Sequence, residues 1–350
     1  MLHRRSCRSG PGAVHDPIPG GGRSRTALAA AVAFVLFGCG GLGCGGPKRL
    51  PPIISEPMWP PRGAPEAPLV LGVGLVENTS QLTVSAAGPC VLKNGHDGTP
   101  LARYDQGPVV VTCRLDGGQV AWTAGHNGGQ VPSLVLRTVD PADLLAHEEA
   151  PYRGDFVVRP SPVGTPGLTL INTIELEQYL CGVVPWEIGR HPERFFAALA
   201  AQAIAARTYT VSHLGARRDR GFDVFASVMD QVYRGVKGED ALCNRAVAET
   251  AGLVLRWRGR EIDAYYSACC GGVSSRVEAV WPRQGRPYLV EQFDGPPPDT
   301  GAPDPGTAYC AGSRHFRWRE VWTGAQLTAL LQETLPAYLR YMAQGSRADW

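Results

Sequence analysis

Residues 197–207 read AALAAQAIAAR, and this stretch decides how the second half of the chain folds. Alanine has the highest helix propensity of all residues, and no glycine or proline interrupts the run. The sequence therefore predicts a helix from Pro192 to about Leu214. The many small side chains of this helix would let a neighbouring backbone approach closely.

Two shorter helices are predicted around this central one, at Leu176–Val184 and Asp240–Ala251. Pro185 is expected to end the first, because proline has no amide hydrogen for the helical ladder. Gly252 is expected to end the second in the left-handed conformation. A hairpin over 253–267 and a last helix at 324–335 complete this half of the chain.

Upstream of Glu175 the chain reads as short strands. Between residues 69 and 137, β-branched and apolar runs are separated by Gly, Asn, Asp and Pro at turn spacing, and strands continue through residues 152–172. Strands followed by helices predict an α+β fold, in which a β-rich part (69–170) packs with a mixed helix and strand core (171–335).

Composition excludes several classes of protein. Of 350 residues, 44% are hydrophobic and 19% are charged, which is unlike a disordered chain. The formal net charge is +2, and no basic stripe runs through the body of the sequence. A nucleic-acid-binding protein needs clustered Lys and Arg to displace counterions, so we expect no nucleic-acid partner.

The N-terminus has the features of a bacterial export signal. An arginine-rich segment precedes ALAAAVAFVLFG at residues 27–38, an apolar run too short to span a bilayer. The run ends in Leu36-Phe37-Gly38-Cys39, which resembles a lipobox. We expect residues 1–38 to be a lipoprotein signal peptide, Cys39 to be lipidated, and the Pro/Gly-rich residues 39–68 to be a tether. The alternative is a plain secretory signal with a structural Cys39.

Export would place the protein in the cell envelope, lipid-anchored to a bacterial membrane in the periplasm or on the outer face. In such an oxidising compartment some of the ten cysteines should pair. Cys90 and Cys113 are one candidate pair, and another bridge could come from Cys243, Cys269, Cys270 and Cys310. The vicinal Cys269-Cys270 pair could hold a reactive thiol, but a structural disulfide from one of the two is the preferred interpretation. The sequence leaves the connectivity open.

Two ordered segments carry a resemblance to a known family. They are EQYLCGVVPWEIG at residues 177–189 and LAAQAIAARTY at residues 199–209, followed by DQVYRG at residues 230–235 and IDAYYS at residues 262–267. Together they resemble the SpoIID (stage II sporulation protein D) family, which includes the LytB-like amidase enhancers. The resemblance extends over about residues 69–335, within a predicted domain at 69–345.

This resemblance implies a peptidoglycan lytic transglycosylase with a long substrate groove. Such enzymes cleave the bond between N-acetylmuramic acid and N-acetylglucosamine without water and leave a 1,6-anhydro sugar. The family's catalytic acid maps to Glu187. Val184, Trp186 and Ile188 supply apolar neighbours that would raise the pKa of this carboxyl and keep it protonated.

The resemblance also implies residues that bind the glycan. Gln202 and Arg207 would contact the glycan or the active-site loop, although Arg207 could instead hold a structural carboxylate such as Asp230. The other expected substrate-binding residues are Gln231, Tyr233, Ser267, Gly271 and Gly272. The aromatic residues Tyr265, Tyr266, Trp257 and Trp281 could stack on sugars or pack in the core.

The chain departs from the family pattern in two places. Residues 221–230 lack the His and Cys that hold zinc in some members, so we predict no metal and no cofactor. Residues 267–272 read SACCGG where the family has a Thr after the Ser, which weakens the case for a substrate contact there.

Three functions remain open at this stage. The first is an enzyme acting on glycan strands. The second is a non-enzymatic, glycan-binding enhancer of a separate cell-wall amidase. The third is a structural envelope lipoprotein.

Overall fold

The structure, a computed structural model, describes residues 55–57, 68–281, 285–298 and 301–345. The predicted signal peptide, the lipidation site Cys39 and most of the predicted tether lie outside these residues. Ser55–Pro57 belongs to the predicted tether but forms a short strand paired with residues 253–255. Among the described residues, no helix is both long enough and apolar enough to cross a bilayer.

The chain divides into two compact units. Among the described residues, the larger unit lies within Lys48–Val273 and Phe293–Phe316, and the smaller comprises those of Ser274–Gln292 and those from Arg317 onward. Every predicted site residue from Glu187 to Gly272 belongs to the larger unit. The proposed split of residues 69–345 into a β-rich part and a catalytic core stays a prediction.

The described residues form strands first and helices later, which agrees with the predicted α+β class. The strands are β1 (Ser55–Pro57), β2 (Val70–Thr79), β3 (Gln81–Ala86), β4 (Cys90–Asn94), β5 (Pro100–Tyr104), β6 (Val109–Asp116), β7 (Gln119–Ala124), β8 (Asn127–Val131), β9 (Leu134–Thr138), β10 (Leu145–His147), β11 (Ala150–Tyr152), β12 (Asp155–Pro160), β13 (Leu168–Glu175), β14 (Val224–Phe225), β15 (Leu253–Trp257) and β16 (Arg260–Glu261). The helices are α1 (Leu176–Glu187), α2 (Phe196–Ser212), α3 (Ala241–Glu249), α4 (Val277–Val280) and α5 (Gly324–Gly345).

Two sheets hold most of the strands. One has the order β11-β10-β3-β6-β7-β8 and the other β14-β2-β13-β12-β9-β4-β5. Strand β6 alternates between buried and more exposed residues, as expected for a strand with one face on the core. The central strand β13 is instead buried along most of its length, and it leads directly into α1. The core therefore continues from the sheets into the helices.

The helices differ in detail from the sequence predictions. Helix α1 does not end before Pro185 but continues through it to Glu187, and the amide of Ile188 still bonds to the carbonyl of Val184. Helix α5 extends to Gly345, well past the predicted end. Gly252 has a φ of 75° after α3, which confirms the predicted left-handed stop. Cys90 and Cys113 are buried free thiols on strands of different sheets, so their pairing is not shown.

Gly182 lies where α1 packs against the turn at residues 233–235. A Cβ at this position would come within 2.6 Å of both the Gly235 carbonyl oxygen and the Tyr233 ring. We expect Gly182→Ala to lower the free energy of unfolding by about 1–3 kcal/mol through overpacking, despite the better helix propensity of alanine. Urea unfolding measures this change. Gly312→Ala, where a Cβ would meet nothing within 4 Å, is the control, and equal losses in both variants would contradict the prediction.

Candidate active site

Glu187 is the last residue of α1, and a hydrogen bond to another segment of the chain holds the final turn of this helix in place. The indole Nε1 of Trp186 donates a hydrogen bond to the carbonyl oxygen of Lys237 at 3.0 Å. On the inner side, Val184 is fully buried, whereas Trp186 remains 45% exposed. The helix end therefore presents Glu187 between a buried side and an exposed aromatic ring.

The Glu187 carboxyl is half-buried and has one hydrogen-bond donor from the backbone. The amide of Val232 donates to its Oε1 at 2.6 Å. Burial raises the pKa of Glu187, and the bond from Val232 opposes the rise without cancelling it. Among the described residues, no arginine, lysine or histidine forms an ion pair with this carboxylate. Its protonated form is therefore favoured beyond that of an ordinary glutamate.

Gln231 precedes Val232 in the chain and is fully buried. Its Oε1 accepts from the hydroxyls of Thr210 and Tyr179, at 2.7 and 3.2 Å. Its Nε2 donates to the carbonyl oxygen of Ala206 and to the hydroxyl of Tyr266, at 3.2 and 3.0 Å. All four hydrogen-bonding positions of the amide are occupied within the protein. Gln231 thus positions the adjacent Val232 amide, which differs from the predicted contact with sugar.

Tyr233 also differs from its predicted role in the sugar groove. Its side chain is 2% exposed, and its hydroxyl donates to Oδ1 of Asn172 on β13 at 2.8 Å. Its ring packs against Tyr179 and Tyr152. The residue joins the turn after Val232 to the sheet, so it supports the site from within the core.

Tyr266 is one of several aromatic residues that the sequence predicts either to stack on sugars or to pack in the core. Its hydroxyl accepts from Gln231, and burial followed by the negative charge of Glu187 raises its pKa. The phenol therefore lies near Glu187 and stays protonated, so its own hydrogen remains available for donation. The only signal in the sequence was its place in the IDAYYS motif, which does not distinguish Tyr265 from Tyr266.

Arg207 is buried in an ion pair, and its partner is Glu177 rather than the expected Asp230. Its guanidinium is 1% exposed and binds both oxygens of Glu177, at 2.7 and 2.8 Å. It also donates to the carbonyls of Val247 and Leu253. Asp230 is instead paired with Arg217 and accepts from the hydroxyl of Tyr209. Arg207 thus ties α1 to α3 and β15.

The side-chain amide of Gln202 has a donor atom without a hydrogen-bond partner among the described residues. Its side-chain Nε2 is buried and has no hydrogen-bond partner in the described part of the chain. Gln202, Ala206 and Thr210 follow one another at i, i+4 spacing on α2, so they share one helix face. Ala206 and Thr210 both bond to Gln231. Among the predicted substrate-binding residues, Gln202 is therefore the one with a buried side-chain donor that no described residue accepts.

The loop with Ser267, Gly271 and Gly272 is shaped by its own backbone. Ser267 is exposed, whereas Gly272 is buried. The two glycines have φ values of 71° and 97°, which side chains other than glycine rarely adopt. The Gly272 carbonyl accepts from the Asp294 amide at 2.9 Å. Of the three predicted contacts, only Ser267 presents an exposed side chain, and a glycan contact there stays a prediction.

The raised pKa of Glu187 predicts a pH-dependent stability. Because the folded protein favours the protonated carboxyl, this contribution is fully present below the unfolded pKa, about 4.3, and is lost as pH rises through the folded pKa. Glu187→Gln cannot ionise, so its melting temperature should rise relative to wild type between acidic and neutral pH. Thermal unfolding across pH 4 to 8 tests this, and parallel curves for the two proteins would contradict it.

A cavity of about 610 Å³ lies elsewhere in the larger unit, lined by strands β2 and β3 and residues 146–149. It contains none of the predicted site residues. The predicted long groove at Glu187 stays a prediction.

Comparison with known proteins relates the region around Glu187 to one family. Residues 165–257 match the family model SpoIID, described as Stage II sporulation protein. The match spans Glu187, Gln202, Arg207, Gln231 and Tyr233, and it ends before Ser267. It also ends before Tyr266 and the two cysteines at 269 and 270.

Three curated relatives are each similar over part of this chain. An amidase enhancer of Bacillus subtilis strain 168 is 36% identical over 35% of this chain and 16% of its own length. A stage II sporulation protein D of Bacillus amyloliquefaciens is 32% identical over 43% of this chain and 48% of its own. An uncharacterized protein of Brachyspira hyodysenteriae is 34% identical over 33% of this chain and 31% of its own. The chain thus matches less than half the length of each relative. No solved structure matches significantly.

Proposed function

We propose that this chain belongs to the SpoIID/LytB family, whose model matches residues 165–257, and that it acts on the bacterial cell wall as a peptidoglycan lytic transglycosylase. The family and the name of the amidase enhancer support a cell-wall role in general. The cleavage reaction is the finer part of the proposal, and it depends on Glu187.

The observation that carries the proposal is the state of the Glu187 carboxyl. It is half-buried, its pKa is raised by burial, and no cation neutralises it among the described residues. A general acid must hold its proton at the working pH and release it when a leaving group demands it. Glu177, near the other end of the same helix, is instead paired with Arg207.

In the proposed reaction a single carboxyl acts twice. Protonated Glu187 first donates its proton to the glycosidic oxygen, and the bond from that oxygen to C1 of the muramic sugar breaks. The resulting carboxylate then accepts the proton of the 6-hydroxyl of the same sugar, whose oxygen bonds to C1. The products are a free hydroxyl on one sugar and a 1,6-anhydro ring on the other, and Glu187 is protonated again. The nucleophile belongs to the substrate, so the second carboxylate of an ordinary glycosidase is not required.

The neighbours of Glu187 suit this sequence of steps. The Val232 amide stabilises the carboxylate formed midway, because a backbone donor favours the ionised form. Burial and the negative charge of Glu187 raise the pKa of Tyr266, so its phenol keeps a hydrogen that it can donate. The exposed ring of Trp186 is the group we propose for stacking on sugar, and a contact between Gln202 and the glycan stays a prediction.

The second candidate is a non-enzymatic enhancer of a cell-wall amidase. It is favoured by one observation, the 36% identity to a protein named amidase enhancer. In that case the same surface would bind glycan strands or the amidase without cleaving a bond.

We also propose that the protein is exported and anchored through Cys39, as the N-terminal sequence predicts. If so, labelling of the protein with a radioactive fatty acid should be lost in Cys39→Ser.

Digestion of purified peptidoglycan separates the two functions. The full chain is incubated with intact glycan strands and with strands stripped of stem peptides, and the products are analysed by mass spectrometry. Release of 1,6-anhydromuramyl ends supports the enzyme. Binding without such ends, together with faster release of stem peptides by an added amidase, would overturn it in favour of the enhancer.

A further inference from the structure

A second cluster of reactive side chains lies in the larger unit outside the Glu187 site. It consists of the thiols of Cys270 and Cys310 and the carboxylate of Asp294, whose ligand atoms all lie within 4.8 Å of one another. The three residues come from separate segments of the chain. Backbone hydrogen bonds join these segments, from the Asp294 amide to the Gly272 carbonyl and from the Tyr309 amide to the Asp294 carbonyl, both at 2.9 Å. The cluster is therefore held together by the backbone.

Two of the three distances within the cluster match those of ligands around one small ion. The two sulfurs are 3.7 Å apart, and Sγ of Cys270 lies 3.4 Å from Oδ2 of Asp294. On a tetrahedral zinc ion, with Zn–S about 2.3 Å and Zn–O about 2.1 Å, two sulfurs lie about 3.8 Å apart and a sulfur and an oxygen about 3.6 Å apart. Both observed separations agree with these values to within about 0.2 Å.

The surrounding backbone suits thiolates as well. The backbone amides of Gly272 and Cys270 lie beside the sulfur of Cys310, and that of Gly272 also lies beside the sulfur of Cys270. Gly271 and Gly272 have φ of 71° and 97°, a left-handed backbone that favours glycine. Such concave arrangements of backbone N–H groups stabilise negative charge, and donors of this kind orient the ligands of metal sites.

We propose that Cys270, Asp294 and Cys310 bind a divalent zinc ion, with solvent in the fourth coordination position. The ligand set favours zinc over calcium or magnesium, because the hard cations prefer oxygen ligands alone. The ion fastens the loop that carries Ser267 to the segments around Asp294 and Cys310. This differs from the sequence analysis, which assigned no metal and preferred a disulfide from the vicinal cysteines.

Metal titration of the full chain tests this site without any assay of activity. The protein is reduced, stripped with a chelator, and titrated with cobalt(II), whose bond to a thiolate gives a charge-transfer band. We expect one ion per chain, displaced by zinc. Cys310→Ser and Cys270→Ser should weaken binding by more than about 100-fold, since they remove ligands rather than their supports.

The matched control is Cys269→Ser, which removes the adjacent thiol that hydrogen-bonds to Cys310 but is not part of the cluster. We expect it to change affinity less than about threefold. Asp294→Asn keeps the shape of the side chain and should weaken binding about tenfold or more, which covers the case in which a cysteine variant misfolds. A native protein with Cys310 in a disulfide, measured by mass before and after reduction, would overturn the proposal. So would equal losses in Cys269→Ser and Cys270→Ser.

Discussion

Glu187→Gln should reduce the release of 1,6-anhydromuramyl ends from peptidoglycan by about 10²- to 10⁴-fold, the usual contribution of general acid–base catalysis. Glutamine keeps the size of the side chain, and its carbonyl oxygen can still accept from the Val232 amide. What it loses is the exchangeable proton. Because both halves of the proposed reaction pass through that proton, no remaining group should carry out either step.

Two measurements make this test specific. Glu193→Gln removes a carboxylate whose side chain is 68% exposed, and it should retain wild-type activity. Binding of Glu187→Gln to insoluble peptidoglycan should be unchanged, because the carboxyl is assigned to chemistry. If Glu187→Gln still releases cyclised ends at the wild-type rate, Glu187 is not the acid. If wild type releases none but stimulates an amidase, and the variant does the same, the enhancer function is correct.

Local sequence signals predicted much of the helical part of this fold. The alanine-rich stretch forms α2 close to the predicted bounds, and Asp240 caps α3 by accepting from the amides of Leu242 and Cys243. The prediction that Pro185 ends α1 was wrong, because proline removes one helical hydrogen bond, to the residue four positions earlier, and α1 continues to Glu187. Burial of Val183 and Val184 and the external bond of Trp186 stabilise the last turn of α1 regardless.

Partners in the core could not be predicted from the sequence. Several acidic residues in the sequence could pair with Arg207. Only the packing of α2 against α1 selects Glu177 over Asp230 as its partner. Gln231 has the same polarity as a surface glutamine, so its four internal hydrogen bonds were not visible before folding. The clustering of Cys270, Asp294 and Cys310 likewise depends on a loop returning 40 residues later.

Arg207→Met should be the most destabilising of the substitutions considered, at about 3–5 kcal/mol of unfolding free energy. Methionine fills a similar volume, so the loss comes from the polar partners left behind. The Glu177 carboxylate would lose its only ion pair among the described residues, and the carbonyls of Val247 and Leu253 would lose donors. Because the side chain of Glu177 is 31% exposed, water can replace part of the lost hydrogen bonding to its carboxylate. This favours the lower end of the range of unfolding free energy.

Urea unfolding of a small variant set isolates the pair. Arg245→Met removes an arginine whose ion pairs with Glu193 and Glu249 are exposed, and it should leave the unfolding free energy nearly unchanged. Arg207→Met combined with Glu177→Gln should be more stable than Arg207→Met alone, since no unpaired charge remains. If Arg207→Met unfolds like wild type yet loses glycan binding, the guanidinium contacts substrate. Its bonds to α1, α3 and β15 would then contribute little to the stability of the domain.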